Sequence, residues 1–187
     1  MTEFQIHTPE TVDAALKEDF ERTERMLGYI PNVYGVMAES PELAQSYQFV
    51  QQRVMESSLT PIERNIVWLE ISYQNNCTYC MAGHSALATG PGQNTPPDIV
   101  RALRDGAPLN DPKLEALRQF AGAVVNGRGV VDPTLTDTLK THRYTNRTVL
   151  DVILAVSQKI MTNYVNHFAH TSIDDANADH EWIRPNH

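Results

Sequence analysis

The sequence predicts an all-α protein, and two observations carry that prediction. Apolar residues recur at helical spacing along nearly the whole chain, and no run alternates polar and apolar residues for long enough to indicate a strand. A Ser, Thr or Asp also stands directly before a proline at six places, which is typical of helix starts. These six pairs are Thr8-Pro9, Ser40-Pro41, Thr60-Pro61, Thr95-Pro96, Asp111-Pro112 and Asp132-Pro133.

Three predicted helices have well-defined apolar faces. The first face comprises Leu43, Tyr47, Val50 and Val54, and the second comprises Ile62, Ile66, Leu69 and Tyr73. The third comprises Val149, Ile153, Val156 and Ile160, and its spacing continues to Asn163 and His167. A core histidine held by a hydrogen bond is the usual explanation for His167 in such a position. Glycines predict the ends of several helices, namely Gly106, Gly127 and Gly129.

The chain is expected to form one helical domain over residues 1–187, since 187 residues suffice for one core. The clearest break is the Gly/Pro-rich stretch at 90–97, which is either a surface turn or a hinge between two helical lobes. The tail from about Asp175 to His187 lacks periodicity. We expect it to wander or to pack on a neighbour, with Trp182 as a docking anchor.

The composition excludes several classes of function. Fifteen Lys and Arg against 23 Asp and Glu give a formal net charge of −8, which disfavours nucleic acid and anionic membranes as partners. No apolar run approaches the roughly 20 residues that span a bilayer. The N-terminal stretch MTEFQIHTPE is polar and acidic, unlike a secretory signal peptide. These features predict a cytoplasmic globular protein.

The chemistry of the sequence is concentrated in two cysteines and one histidine. Asn75 or Asn76 can end one helix and start the next, which places Cys77 and Cys80 in a first helical turn, where the helix dipole favours a thiolate. His84 follows Cys80 by four residues and shares its face, so its imidazole can accept the thiol proton directly or through a water. The pattern predicts a peroxidatic and a resolving thiol with their own base.

Two other interpretations of the cysteines stay open at this point. Cys77, Cys80 and His84 would complete a zinc site with a fourth ligand such as His167, although zinc sites usually carry such pairs on turns. Alternatively, both cysteines are inert members of a core helix. The redox interpretation is favoured, and it requires no metal and no bound cofactor.

The segment resembles the C-x-x-C-x-x-x-H signature of the alkylhydroperoxidase AhpD-like group, within the carboxymuconolactone decarboxylase superfamily. Flanking segments are similar to that group too, namely 28–34, 40–43, 103–109, 111–114 and 163–167. The resemblance implies an all-α, mainly antiparallel helical bundle that assembles as a homo-oligomer, often a trimer or hexamer. It also implies that Cys80 attacks a hydroperoxide, that Cys77 resolves the product as a disulfide, and that His84 belongs to the proton relay. The local environment gives two opposite indications of which thiol ionises more readily. The helix N-terminus favours Cys77 as the more acidic thiol, whereas His84 lies closer to Cys80.

One position departs from the family pattern. Relatives with a full relay carry a glutamate twelve residues before the first cysteine, where this chain has Asn65, which cannot take a proton. Glu63 and Glu70 are the nearby acids. Glu63 closes a capping box with Thr60, which favours a structural role, and Glu70 is the candidate replacement acid.

The leading functional hypothesis is a thiol-dependent peroxidase or disulfide reductase that acts on organic hydroperoxides. It would need an external dithiol, a thioredoxin-like protein or a lipoyl group as the reductant. One alternative is a lactone enzyme of the carboxymuconolactone decarboxylase type, although such relatives typically lack the cysteine pair. The other alternative is a non-enzymatic oligomeric redox switch, which would react once and stop.

Overall fold

The computed structural model describes residues 4–185, and every regular element within that range is helical, which confirms the all-α prediction. The α-helices of this range are α1 Lys17–Leu27, α2 Asn32–Met37, α3 Pro41–Met55, α4 Pro61–Gln74, α5 Thr78–Thr89, α6 Pro97–Asp105, α7 Pro112–Asn126, α8 Pro133–Thr141 and α9 Asn146–Ala169. Two short 3₁₀ helices span Ala14–Leu16 and Asp175–His180. Among the helices of residues 4–185, none has both the length and the apolar character needed to cross a bilayer.

Most of the predicted helix starts are confirmed. Side chains accept a hydrogen bond from the first turn at four of them, namely Ser40, Thr60, Asp111 and Asp132. At Thr95-Pro96 the helix begins one residue later, at Pro97, without a side-chain cap. The prediction at Thr8-Pro9 is wrong, because Thr8 lies in a turn and its hydroxyl donates to Glu10. The first helical residue is Ala14, and Asp13 caps that short 3₁₀ helix.

Helix α4 is the centre of the bundle and packs against α5, α6, α7 and α9. Its residues 63–73 are buried on every side, and the core residues Trp68 and Ile71 have no exposed surface. The chain then turns through Asn76, whose φ of 51° asparagine tolerates better than most residues, into α5. Because α4 and α5 are separate helices, Glu63 and Glu70 do not share a helical face with His84.

The predicted face of α9 is partly wrong in register. Ile153 is 43% exposed, whereas Val152 and Ala155 are fully buried. The buried face therefore runs through polar residues toward the C-terminal end of the helix, namely Lys159, Thr162, Asn163 and Asn166. His167 is exposed, so the interpretation as a core histidine is wrong.

The C-terminal segment packs on the bundle of its own chain. The 3₁₀ helix Asp175–His180 contacts α5, and the indole N–H of Trp182 donates to the carbonyl oxygen of Arg104 at 2.9 Å. The Trp182 ring also lies 5.8 Å from that of Tyr73, so Trp182 anchors the tail, although the last two residues lie outside the described range. The stretch at 90–96 is a loop between α5 and α6, and α6 packs against both α4 and α5.

Candidate active site

Cys77 and Cys80 lie together at the start of α5. Cys80 belongs to the first turn, as the sequence predicts, whereas Cys77 lies just before it and is itself the N-cap residue, in place of the predicted asparagine cap. Both are free thiols that are almost fully buried. The amide Nδ2 of Asn166 on α9 donates to Cys80 Sγ at 3.4 Å and lies 3.9 Å from Cys77 Sγ. One side chain of α9 therefore contacts both sulfur atoms.

The two thiols have opposite acidities. Burial by itself raises the pKa of Cys80, but a hydrogen bond from the Cys77 thiol, the charge of Lys159, and hydrogen bonding with Lys159 and Thr162 together hold that pKa well below its usual value. The pKa of Cys77 is raised, because its proton is held in the hydrogen bond to Cys80 and because burial and the charge of Cys80 disfavour a second anion. Cys80 is thus the sulfur that ionises and Cys77 the one that keeps its proton, and these contacts outweigh the helix-dipole argument for Cys77.

Lys159, like Asn166, contacts the thiols and was not predicted as a site residue from the sequence. Its side chain is 1% exposed, and among the residues that the structure describes no carboxylate forms an ion pair with it. A buried charge is costly unless it is paired, and here the partner is the Cys80 thiolate. The sequence does contain a pattern that predicts the burial of Lys159. Val152, Ala155 and Val156 recur at helical spacing, and Lys159 continues the face that they form.

His84 lies beside the thiols but is not bonded to them. Its ring centroid is 4.9 Å from that of Trp68, and its Nδ1 is buried without a hydrogen-bond partner. Burial, followed by the charge of Lys159, lowers the pKa of His84 well below its usual value, so the imidazole is neutral. No hydrogen bond joins His84 to either sulfur in the described part of the chain, so proton exchange between them requires a water.

Asn65, at the position of the absent glutamate, connects α4 to the loop at 90–96. It has no exposed surface, and its Nδ2 donates to Gln93 Oε1 at 3.2 Å and to Thr95 Oγ1 at 3.0 Å. Its Oδ1 is buried without a partner. The side chain therefore holds the loop in place and leaves one acceptor free.

Glu63 forms the capping box that the sequence predicts. Its carboxylate accepts from the backbone N–H of Thr60 at 2.9 Å, and it also accepts from the Tyr144 hydroxyl at 2.9 Å and pairs with Lys113 at 3.0 Å. Burial raises the pKa of Glu63, but these hydrogen bonds outweigh it and the pKa is lowered. All of its contacts concern the start of α4 and its neighbours.

Glu70 faces α7, not the thiols. Its carboxylate is 1% exposed and pairs with Arg118 at 3.0 Å, and Gln74 donates to it at 2.6 Å. Gly122 of α7 makes room for this carboxylate, because a Cβ there would lie 2.6 Å from Glu70 Oε1 and would displace it. The structure thus brings Cys77, Cys80 and His84 together and does not bring Glu63 or Glu70 to them. It gives the replacement-acid hypothesis no geometric support.

The arrangement also does not match a zinc site. Within residues 4–185 no three His, Cys, Asp or Glu side chains are placed to share a metal ion. Instead, the Cys77 thiol donates a hydrogen bond to Cys80, and Asn166 and Lys159 both contact Cys80.

A cavity of about 260 Å³ reaches Cys80, His84 and Lys159. Its wall is mostly apolar and aromatic, and its tyrosines are Tyr29, Tyr34, Tyr47 and Tyr79. The C-terminal segment closes part of it, because Asp174 accepts a hydrogen bond from the Tyr79 hydroxyl at 2.6 Å. Cys77 does not line this cavity. The sulfur with the lowered pKa, Cys80, therefore borders a mostly apolar space.

Comparison with known proteins gives one family and several similar folds. Residues 41–133, close to half of the chain, match the model of the carboxymuconolactone decarboxylase family. No curated protein matches the chain.

Three solved structures are similar over nearly their whole length. An uncharacterized peroxidase-related protein from Silicibacter sp. TM1040 has a TM-score of 0.77 at 21% identity, covering 94% of this chain and 95% of that one. An AhpD-core, uncharacterized peroxidase-related protein from Ralstonia eutropha JMP134 has a TM-score of 0.77 at 17% identity, with the same coverage of 94% and 95%. The debrominase Bmp8, as a cysteine-to-alanine variant in complex with 2,3,4-tribromopyrrole, has a TM-score of 0.79 at 18% identity, covering 96% of this chain and 95% of that one.

Proposed function

We propose that this chain, an AhpD-like member of the carboxymuconolactone decarboxylase superfamily, is a thiol-dependent peroxidase that reduces organic hydroperoxides. One observation carries the proposal. The Cys80 thiolate, paired with the buried charge of Lys159, faces an apolar cavity while Cys77 holds its proton beside it. This is the arrangement that an attacking thiolate and a resolving thiol require.

In the first step the Cys80 thiolate attacks the terminal oxygen of the hydroperoxide. A sulfur–oxygen bond forms, the oxygen–oxygen bond breaks, and the electron pair leaves with the alkoxide. Lys159 supplies a proton to that alkoxide, which departs as the alcohol. Cys80 is left as a sulfenic acid.

In the second step Cys77 attacks the sulfur of the sulfenic acid. A disulfide forms, and the hydroxide that leaves takes the Cys77 proton and departs as water. An external dithiol then reduces the disulfide, and the proton released in that reduction restores Lys159. In the overall reaction, one hydroperoxide and one dithiol give one alcohol, one water and the disulfide of the donor.

The cavity supports a substrate with a bulky apolar group. A cavity of about 150 Å³ holds benzene, so 260 Å³ accommodates an apolar group of roughly ten heavy atoms. Cumene hydroperoxide has that size, whereas hydrogen peroxide gains nothing from the apolar wall. We therefore expect kcat/KM for cumene hydroperoxide to exceed that for hydrogen peroxide.

The test is to measure turnover of cumene hydroperoxide and of hydrogen peroxide in the presence of excess dithiothreitol. The loss of peroxide over time is the signal. Sustained turnover that Cys80→Ser abolishes supports the proposal. A single equivalent consumed, with no turnover, would instead indicate a redox switch. Full turnover in Cys80→Ser would refute the thiol mechanism, and activity on a lactone acid without either cysteine would favour the lactone enzyme.

A second candidate function is reductive dehalogenation of an aromatic compound. The tyrosine-lined cavity favours it, together with the similar fold of a debrominase. The thiol pair would supply two electrons, so that one aryl bromide and two thiols give the arene, a disulfide and hydrogen bromide. Release of bromide from 2,3,4-tribromopyrrole, dependent on Cys80, would support this candidate over the peroxidase.

We also propose, from the family resemblance, that the protein is a homo-oligomer. One outer stripe of α9 carries exposed apolar side chains at helical spacing, namely Leu150, Ile153, Tyr164 and Phe168. Light scattering of the purified protein measures the assembly directly, and a monomeric mass would contradict this proposal.

A further inference from the structure

The two cysteines border different cavities. The apolar cavity is lined by Cys80 and not by Cys77, as described above. A second pocket of about 450 Å³, which we call the polar pocket, is lined by Cys77 and not by Cys80. Its other wall residues are mostly polar, among them Asn75, Asn76, Asn166, His167 and His170. The thiol pair therefore lies between an apolar and a polar opening.

Asn166 lines the polar pocket beside Cys77 and separates it from Cys80. Its Nδ2 donates to Cys80 Sγ at 3.4 Å. The side chain is 5% exposed, and its Oδ1 is buried without a hydrogen-bond partner. An unpartnered acceptor in the wall of a polar pocket is a feature that a donor group on a bound molecule would satisfy.

We propose that the polar pocket is the site where a small dithiol reductant binds and attacks Cys77, while the hydroperoxide reaches Cys80 through the apolar cavity. This inference rests on the proposed function, because it concerns the disulfide that peroxide turnover forms. It adds a second binding site, of different chemistry, on the other side of the sulfur pair.

The chemistry of exchange selects the same sulfur. When a thiolate attacks a disulfide, the sulfur with the lower pKa is the better leaving group. Here that sulfur is Cys80, since Lys159 stabilises its thiolate. Attack at Cys77 is therefore the productive direction, and Cys77 is the cysteine that the polar pocket borders.

The electrons and protons balance over two exchanges. One donor thiolate forms a bond to Cys77 Sγ, the Cys77–Cys80 bond breaks, and the electron pair goes to Cys80 as the thiolate. The second donor sulfur then attacks the first, forming the donor's own disulfide, and Cys77 leaves and takes a proton. The donor loses two electrons and two protons, of which one proton returns to the solvent or to Lys159.

The test introduces a positive or a negative charge at the edge of each cavity and compares the rates at which the disulfide is reduced. His167 is exposed at the polar pocket, and Met26 is 73% exposed at the apolar cavity. Each is replaced by Lys and by Glu, giving four variants. Every variant is first oxidised with cumene hydroperoxide, and formation of the disulfide is checked by alkylation and intact mass. The disulfide is then reduced either by dihydrolipoate, an anionic dithiol, or by dithiothreitol, a neutral one.

We expect dihydrolipoate to reduce His167→Lys about three- to fivefold faster than His167→Glu at low ionic strength, with a smaller ratio at high salt. Dithiothreitol should reduce the two variants at similar rates, and the Met26 pair should not differ with either donor. A charge effect at Met26 without one at His167, or no charge effect at either position, would overturn the two-sided arrangement. If the disulfide never forms in the first stage, the proposed function itself fails, which is a distinguishable result.

Discussion

Replacing Lys159 by methionine removes the charge that stabilises the Cys80 thiolate while keeping the length of the side chain. Because Lys159 is 1% exposed and bonds to Cys80, its loss affects the thiolate directly. The pKa of Cys80 rises in the variant, so less thiolate is present at neutral pH. Oxidation by cumene hydroperoxide should slow accordingly.

The size of the effect follows from the charge pair. Two unit charges about 4 Å apart attract by roughly 4 kcal/mol at the effective dielectric of a protein site. Cys77 and Asn166 still contact the Cys80 sulfur in the variant, so we expect about half of that, ~2 kcal/mol, to appear in the rate. This corresponds to roughly a 30-fold loss in the second-order rate constant at pH 7.

The assay is a pH–rate profile of Cys80 oxidation, read as loss of free thiol. The rate of Lys159→Met should climb with pH over a range where the rate of the wild type is flat. The gap should narrow under alkaline conditions as Cys80 ionises in the variant, and it should not close, because the variant still lacks the proton donor for the alkoxide. Lys140→Met is the matched control, since Lys140 is exposed on α8 and pairs with Asp137. An unchanged rate and an unchanged profile in Lys159→Met would refute the role of the buried charge.

Three further predictions concern acidity and stability. The free energy of unfolding should fall as pH drops below about 6.5, because the unfolded chain binds a proton at His84 that the folded chain does not. Urea unfolding at several pH values measures this, and the free energy should fall less steeply in His84→Gln. Glu70→Gln should lower the free energy of unfolding in urea by about 3 kcal/mol, because it breaks the buried pair with Arg118. The rate of Cys80 oxidation should stay unchanged, and a large drop in that rate would restore Glu70 as the relay acid. Trp182→Ala should cost about 3 kcal/mol in thermal unfolding and expose the C-terminal segment to protease, and equal protection in both proteins would contradict its anchoring role.

The helices and the thiol motif could be predicted because their causes are local. A capping side chain followed by proline sets the start of a helix within one turn, and this was sufficient at Ser40, Thr60, Asp111 and Asp132. Thr8-Pro9 failed because its hydroxyl bonds to Glu10 in a turn, which competes with helix capping. The first turn of α5 likewise follows from residues that are adjacent in sequence.

The electrostatic part of the site could not be predicted, because it depends on contacts between distant segments. Lys159 is 79 residues from Cys80, and a shift of one position in the face of α9 decided whether it is buried or exposed. Glu70 is near Cys77 in sequence, yet its partner Arg118 lies on α7, 48 residues away. Sequence spacing within one helix gives neither of these pairings.

Locating the sulfenic acid tests most directly whether Cys80 is the attacking sulfur. Cys77→Ser, which cannot form the disulfide, is treated with one equivalent of cumene hydroperoxide in the presence of dimedone, and the adduct is mapped by peptide mass spectrometry. We predict one dimedone adduct on Cys80 and one equivalent of the alcohol, with no reaction in Cys80→Ser under the same conditions. An unmodified Cys80 in the first variant, together with an adduct on Cys77 in the second, would contradict this prediction.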